Sequence, residues 1–233
     1  MEEAIIKAAG VHKTYDTGKI KVDALSGVDL NIQRGEMVAV MGPSGCGKTT
    51  LLNVLSGIDD VTRGQVVIDD APIHQMSDRA RTSYRAKKMG FIFQAFNLLP
   101  VLSAIENVEL PLLVAGGIKP GDARRKARET LALVGLAGED NKRPMEMSGG
   151  QQQRVTIARA LVNNPAIVWA DEPTGNLDGE TSKAIMDLLC QLNKEKLQTF
   201  VIVTHDLAVG RRGDRILRMA DGGIVEELYM SGS

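Results

Sequence analysis

The run GPSGCGKT, Gly42 to Thr49, has the residue types and spacing to hold a polyphosphate. It fits G-x-x-x-x-G-K-[ST] and sits between the apolar stretch MVAVM and the helical pattern TTLLNVLSG, the strand–loop–helix setting such a loop needs. Gly42, Gly45 and Gly47 let the backbone curl into a nest of N–H donors, with Pro43, Ser44 and Cys46 filling the turn between them. Lys48 would bridge the β- and γ-phosphates and the Thr49 hydroxyl would ligate Mg²⁺. Cys46 is read as a small filler rather than a reactive thiol.

A second chemical group follows the apolar run AIVWA. Asp171 and Glu172 are adjacent carboxylates at a strand end, where α/β sheets collect ligands. Asp171 would hold Mg²⁺ through water, and Glu172 would polarise the attacking water. Gln94, at the end of GFIFQ, offers an oxygen and an amide to metal, water or a neighbour. His205 follows another apolar strand, and Tyr15 is one of few aromatics and can stack on a base. Trp169 is read as core, with its indole N–H satisfied. MSGGQ, Met147 to Gln151, looks like a glycine-rich helix start suited to phosphate, yet it carries no lysine of its own.

These groups need a scaffold that brings strand ends together. Apolar runs at 37–41, 65–68, 90–94, 166–170, 199–203 and 215–219 read as strands, several covered on both faces. Helical patterns at 47–55 and 179–195 alternate with them, which implies a largely parallel α/β sheet. From 95 to 160 the rhythm changes to helix after helix, at 104–114, 121–134 and 149–162. The reading is one domain over 1–233, with an α/β core from 1–94 and 161–230 and a helical subdomain at 95–160 between them. The closing LYMSGS is set aside as a frayed tail.

Bulk properties narrow the class. A chain of 233 residues, 43% hydrophobic, can bury a substantial core. A net charge of −1 provides no general field for nucleic acid, so no nucleic-acid partner is expected. Cys46 and Cys190 form no metal-ligand spacing, which fits a reducing compartment. The N-terminus lacks the layout of a secretory signal, and no apolar run is long enough to span a membrane.

Taken in order, Tyr15, the loop at 42–49, Gln94, the segment 147–151, the strand and carboxylates at 167–172, GNLD at 175–178 and His205 resemble the nucleotide-binding domain of ABC transporters. The resemblance covers nearly the whole chain. It implies a P-loop NTPase fold of the ABC ATPase type, a mainly parallel RecA-like core sheet with an antiparallel β portion. It also implies hydrolysis of ATP with Mg²⁺, with Glu172, His205 and Gln94 as catalytic groups and Thr49, Gln94 and Asp171 at the metal. The ATP-binding set implied is Tyr15, 42–50 and, from a second copy, Ser148, Gly149, Gly150 and Gln151. Two copies in such a family dimerise head to tail, so the signature helix needs no lysine because Lys48 of the other copy supplies it.

Within the family the wording of QAFNLLPVLSAIENVELPLL and ADEPTGNLD is similar to the group serving lipoprotein release and macrolide export, the LolD/MacB-like cassettes. Met147 in place of leucine and Ala95 in place of a second glutamine are departures that remove no catalytic group. The resemblance implies an integral membrane permease as partner and a peripheral position on the cytoplasmic face of the membrane. The basic run 122–130 reads as a solvated helix face. With two short strands after His205, a long C-terminal regulatory domain is not expected. The alternative is a soluble ABC ATPase acting in DNA repair or translation, and a module that binds ATP without hydrolysing it is a third reading. Glu172 and His205 argue against the third.

Overall fold

The computed structural model describes residues 4–230. In chain order the elements are β1 (Ala4–Asp16), β2 (Lys21–Gln33), β3 (Met37–Met41), α1 (Lys48–Leu55), β4 (Arg63–Ile68), β5 (Ala71–Pro72), α2 (Asp78–Lys88) and β6 (Met89–Phe93). They continue with α3 (Ala104–Ala115), α4 (Pro120–Leu133), α5 (Gly149–Leu161), β7 (Ile167–Asp171), α6 (Gly179–Lys196), β8 (Thr199–Val203), α7 (Leu207–Gly210), β9 (Arg215–Ala220) and β10 (Gly223–Tyr229). By spatial contact the chain groups into two units, 1–82 with 192–233, and 83–191.

The first unit holds two kinds of sheet. β2, β1, β4 and β5 lie side by side in that order, each pair antiparallel. The register of β1 on β2 shifts between Ala8 and Val11, where Gly10 at φ +53° provides the left-handed residue a bulge needs. In the other sheet β3 pairs in parallel with β8 on one side and β9 on the other, and β10 closes against β9 antiparallel. β3 and β8 are buried along nearly their whole length, as expected for parallel strands covered on both faces. Arg215 on β9 is itself buried and forms ion pairs at 2.8 Å with both Glu36 and Glu227, tying β10 to the loop before β3.

β10 runs to Tyr229, and the Met230 N–H bonds the Asp214 carbonyl at 2.8 Å. Leu228 and Tyr229 are therefore strand rather than frayed tail, because β9 offers them an open edge; Ser231 to Ser233 lie outside the described residues.

The second unit contains the parallel pair β6 and β7 together with the helices α3 to α5 and most of α6. α3 starts at a capping box, Ser103 with Glu106, packs on α4 and α5, and buries Ile105, Val108 and Leu112. Because β6 pairs with β7 and α5 packs on β6, these elements group with the helices, a wider span than 95–160. Trp169 is fully buried, as its place in an apolar strand requires, but its indole Nε1 has no hydrogen-bond partner among the described residues. The expectation of a satisfied N–H is corrected: the ring's large apolar burial offsets a desolvation cost of about 1–3 kcal/mol.

The basic run lies on α4, where Arg124 reaches Glu109, Arg125 reaches Asp122 and Arg128 reaches Asp140. Each of these arginines has an acidic partner.

Candidate functional site

Two sets of residues carry the chemistry, one on each unit. In the first, β3 runs into Gly42 and α1 begins at Lys48, with Gly47 at φ +102° as its N-cap. A Cβ on Gly47 would lie 2.5 Å from the Ala24 carbonyl oxygen, and one on Gly42 would lie 2.3 Å from that of Met219. Both glycines are thus required by close backbone approach as well as by turn geometry. The Lys48 ammonium donates to the Gly42 and Pro43 carbonyls at 2.9 and 2.8 Å, so it lies over its own loop where a phosphate would meet it. Cys46 is buried and its carbonyl accepts from the Gly222 N–H, which fits a filler that anchors the loop to the β9–β10 turn.

β8 ends beside β3, with Val203 in register with Val40 and the Thr204 N–H bonded to the Val40 carbonyl at 3.1 Å. His205 therefore leaves the carboxyl end of the strand adjacent to the phosphate loop and is exposed there.

Tyr15 lies near the end of β1. Its hydroxyl donates to Asp59 at 2.8 Å, and Lys13 donates to the same carboxylate at 2.6 Å and to the Asp60 carbonyl at 2.9 Å. The Lys13 ammonium also sits over the Tyr15 ring, 4.9 Å from its centroid. Burial, and then the bond to Asp59, push the Tyr15 phenol above its ordinary value. Burial alone would raise the Asp59 carboxyl, but hydrogen bonds from Lys13 and Tyr15 outweigh it and hold the group below the usual range. Sequence reasoning found Tyr15 but not Asp59 or Lys13; the available signal was the acidic pair Asp59-Asp60 just past the end of α1.

In the second unit Phe93 on β6 is in register with Asp171 on β7, so Gln94 and Glu172 emerge together from the carboxyl ends of adjacent parallel strands. Glu172 has φ +49°, a left-handed conformation that is uncommon for a non-glycine residue and concentrates at functional sites. Gln94 donates through Nε2 to the Asn176 side chain at 3.2 Å and accepts at its backbone carbonyl from Asn176 Nδ2 at 2.9 Å. A Cβ on Gly175 would fall 2.8 Å from Gln94 Nε2, which is why glycine stands there.

Ser148 caps α5: its hydroxyl accepts from the Gln151 N–H at 3.3 Å, and the Gln151 side chain accepts from the Ser148 N–H at 3.0 Å. Gln151 is thus occupied in the capping box, which fixes the helix start and leaves Ser148 exposed. A Cβ on Gly149 would touch Leu177, and one on Gly150 would lie 2.6 Å from the Thr181 methyl, so both glycines admit the 175–181 segment against the helix. Met147 is buried, in keeping with an apolar substitute for leucine.

Of the residues expected at a metal, Thr49 lies on the first unit and offers a hydroxyl, and Asp171 lies on the second and offers a carboxylate; each is a hard oxygen donor. No group of three His, Cys, Asp or Glu side chains able to hold an ion occurs among the described residues. Hard oxygens are the ligands Mg²⁺ takes, usually one or two from protein with substrate phosphates and water completing its shell.

Residues 25–175 match the family model for the ABC transporter. The chain belongs to that family. Over 231 residues the cassette is 47% identical to an uncharacterized ABC transporter ATP-binding protein of Methanocaldococcus jannaschii, covering 98% of each chain. It is also 47% identical over 220 residues to an uncharacterized ABC transporter ATP-binding protein of Thermotoga maritima, covering 94% of this chain and 93% of that one.

Among solved structures it resembles the ATP-binding cassette MJ0796 in a dimeric post-hydrolysis state bound to ADP and Pi, with TM-score 0.89 at 46% identity over 98% of this chain and all of that one. The protein cbiO1 of Clostridium perfringens, described as part of the ABC transporter complex cbiONQ, is similar at TM-score 0.86 and 30% identity, covering 97% of this chain and 88% of that one. The cassette is the ATP-hydrolysing subunit of an ABC transporter, with the mainly parallel core, antiparallel portion and helical region of the P-loop ABC fold. These relatives are transporter proteins, so the repair or translation reading gives way.

Proposed function

We propose that the cassette binds ATP between two copies arranged head to tail and that hydrolysis there drives an integral membrane permease. The observation that carries this reading is the start of α5, an exposed, capped, glycine-rich helix terminus with no cation of its own. Such a terminus stabilises phosphate through its free N–H groups and dipole. It becomes a complete site only when a Lys48 from another copy faces it. The dimeric form of the MJ0796 cassette supports that arrangement.

Roles follow from residue chemistry. Residues 42–49 and Thr50 cradle the β- and γ-phosphates, Tyr15 stacks on adenine, and Ser148, Gly149 and Gly150 close over the γ-phosphate from the second copy, with Gln151 holding the helix start. Glu172 accepts a proton from the attacking water, and its left-handed backbone, at φ +49°, marks a strained position at the end of β7. Gln94 orients water, and His205 contacts the γ-phosphate from the end of β8. Mg²⁺ held by Thr49 and Asp171, with Gln94 at its edge, would neutralise charge on the β- and γ-phosphates. Residues 95–160 form the lobe that meets the permease, which places the cassette on the cytoplasmic face of a membrane. No helix among the described residues is long and apolar enough to cross one. The wording of the signature and of 171–178 supports a role in export or release.

Glu172→Gln keeps the shape of the side chain and removes the base. Turnover should fall by about 10²–10⁴-fold while an ATP-bound dimer accumulates. A variant that remains monomeric by light scattering at saturating ATP contradicts the sandwich.

A further inference from the structure

We infer that Asp59 and Lys13 are positioning residues that set the Tyr15 ring as a one-sided platform for the nucleotide base. The inference rests on the adenine-stacking role proposed for Tyr15 and adds what holds the ring. Tyrosine at the end of a β-strand, with 41% of its surface exposed, would ordinarily sample several rotamers. Here its hydroxyl is bound to Asp59 at 2.8 Å. That carboxylate is fixed in turn by Lys13 at 2.6 Å and by the Asp60 N–H at 2.7 Å.

The loop carrying Asp59 is not free to follow the ring. The Ile58 and Asp59 N–H groups both donate to the Asn53 carbonyl, at 2.9 and 3.1 Å, so the clamp is anchored on the helix that starts at the phosphate loop. Base end and phosphate end of the site are therefore referred to one rigid element, α1.

Lys13 does a second thing. Its side chain is 11% exposed, and its ammonium covers one face of the ring at 4.9 Å from the centroid. A base can stack only on the other face. With the tyrosine hydroxyl committed to Asp59, the platform offers a base its π-face and no hydrogen bond from that hydroxyl. A stacking contact of this kind tolerates any purine. The clamp accordingly governs how firmly a purine nucleotide is held, not which purine.

The test compares ATP with inorganic triphosphate, which has the phosphates and no base. Asp59→Ala and Lys13→Met should each raise KM for ATP about three- to tenfold, and KM for GTP by a similar factor, with kcat within about twofold. Inhibition by triphosphate should be unchanged, and Asp59→Asn, which keeps an acceptor for the tyrosine hydroxyl, should restore part of the loss. Tyr15→Phe, which keeps the ring and loses the hydroxyl that bonds Asp59, should raise KM too. Combined with Asp59→Ala it should add less than the sum of the two.

If Tyr15→Ala raises KM but Asp59→Ala and Lys13→Met leave it unchanged, the ring is set without the clamp and the inference fails while stacking stands. If triphosphate and ATP weaken together, the carboxylate is general support for the loop and the inference also fails. If Tyr15→Ala leaves KM unchanged, the stacking reading itself is overturned, and the inference with it.

Discussion

Substituting alanine at Gly47 and, separately, at Gly45 isolates the physical reason for glycine in the phosphate loop. Both residues have left-handed backbones, φ +102° at Gly47 and φ +80° at Gly45. Alanine in that region costs about 1–2 kcal/mol through its Cβ alone. At Gly45 nothing lies within 4 Å of the added carbon, so that is the whole penalty. At Gly47 the carbon would meet the Ala24 carbonyl oxygen at 2.5 Å, a backbone atom of β2 that cannot step aside as a side-chain tip would. Forcing it away adds about 1–3 kcal/mol, the range for overpacking, and brings the total to about 2–5 kcal/mol.

A chain of this size loses about 2–4 °C of Tm per kcal/mol. Calorimetry on the nucleotide-free protein should therefore show a drop of about 2–8 °C for Gly45→Ala and about 4–20 °C for Gly47→Ala. Equal losses at the two positions, or an unchanged Tm at Gly47, would refute the claim that contact between the loop and β2 dictates glycine there.

Other expectations follow from single contacts. Arg215→Met should destabilise the protein by about 3–5 kcal/mol, because Glu36 and Glu227 would then face each other without their shared cation; urea titration measures this. Gly175→Ala presses on the Gln94 side chain and on no backbone atom among its nearest contacts, so Tm should change little while turnover falls about 10- to 100-fold, read by phosphate release. The hydrogen bond from Arg81 holds the Asp60 carboxyl below its ordinary value, so the pair stabilises the fold above about pH 4, the unfolded carboxylate value, and that contribution is lost as pH falls further. Arg81→Met should accordingly flatten the acid limb of a Tm-against-pH curve; an unchanged limb would show that the pair does not set it.

The parallel core was legible in the sequence because its strands are continuously apolar, as at 37–41 and 166–170, and such runs have few alternatives. The three helices of the lobe lie within a residue of their expected bounds, since Ser103 and Ser148 cap two of them and Pro120 opens the third. β1 and β2 were not delimited, because glycine bulges interrupt their alternation and their outer ends are polar. α2 was missed for a different reason: DRARTSYRAKK is polar all round and buries only Arg81, so it has no apolar period to read.

At the site, the phosphate loop, the carboxylates, Gln94 and His205 announce themselves as local motifs after strands. What joins them does not. Asn176 meets Gln94 across 82 positions and Lys13 meets Asp59 across 46, and neither pair has a pattern that sequence alone exposes. The capping role of Gln151 was hidden in the same way, since S-G-G-Q reads equally as a phosphate motif and a helix cap.

In the proposed sandwich, one copy holds only half of a working site. The most direct measurement is ATP turnover per chain as the purified protein is diluted at saturating ATP and magnesium, with oligomeric state followed by light scattering in the same samples. Turnover per chain should fall on dilution in step with the loss of dimer. Turnover that stays constant down to concentrations where only monomer is present would contradict the account.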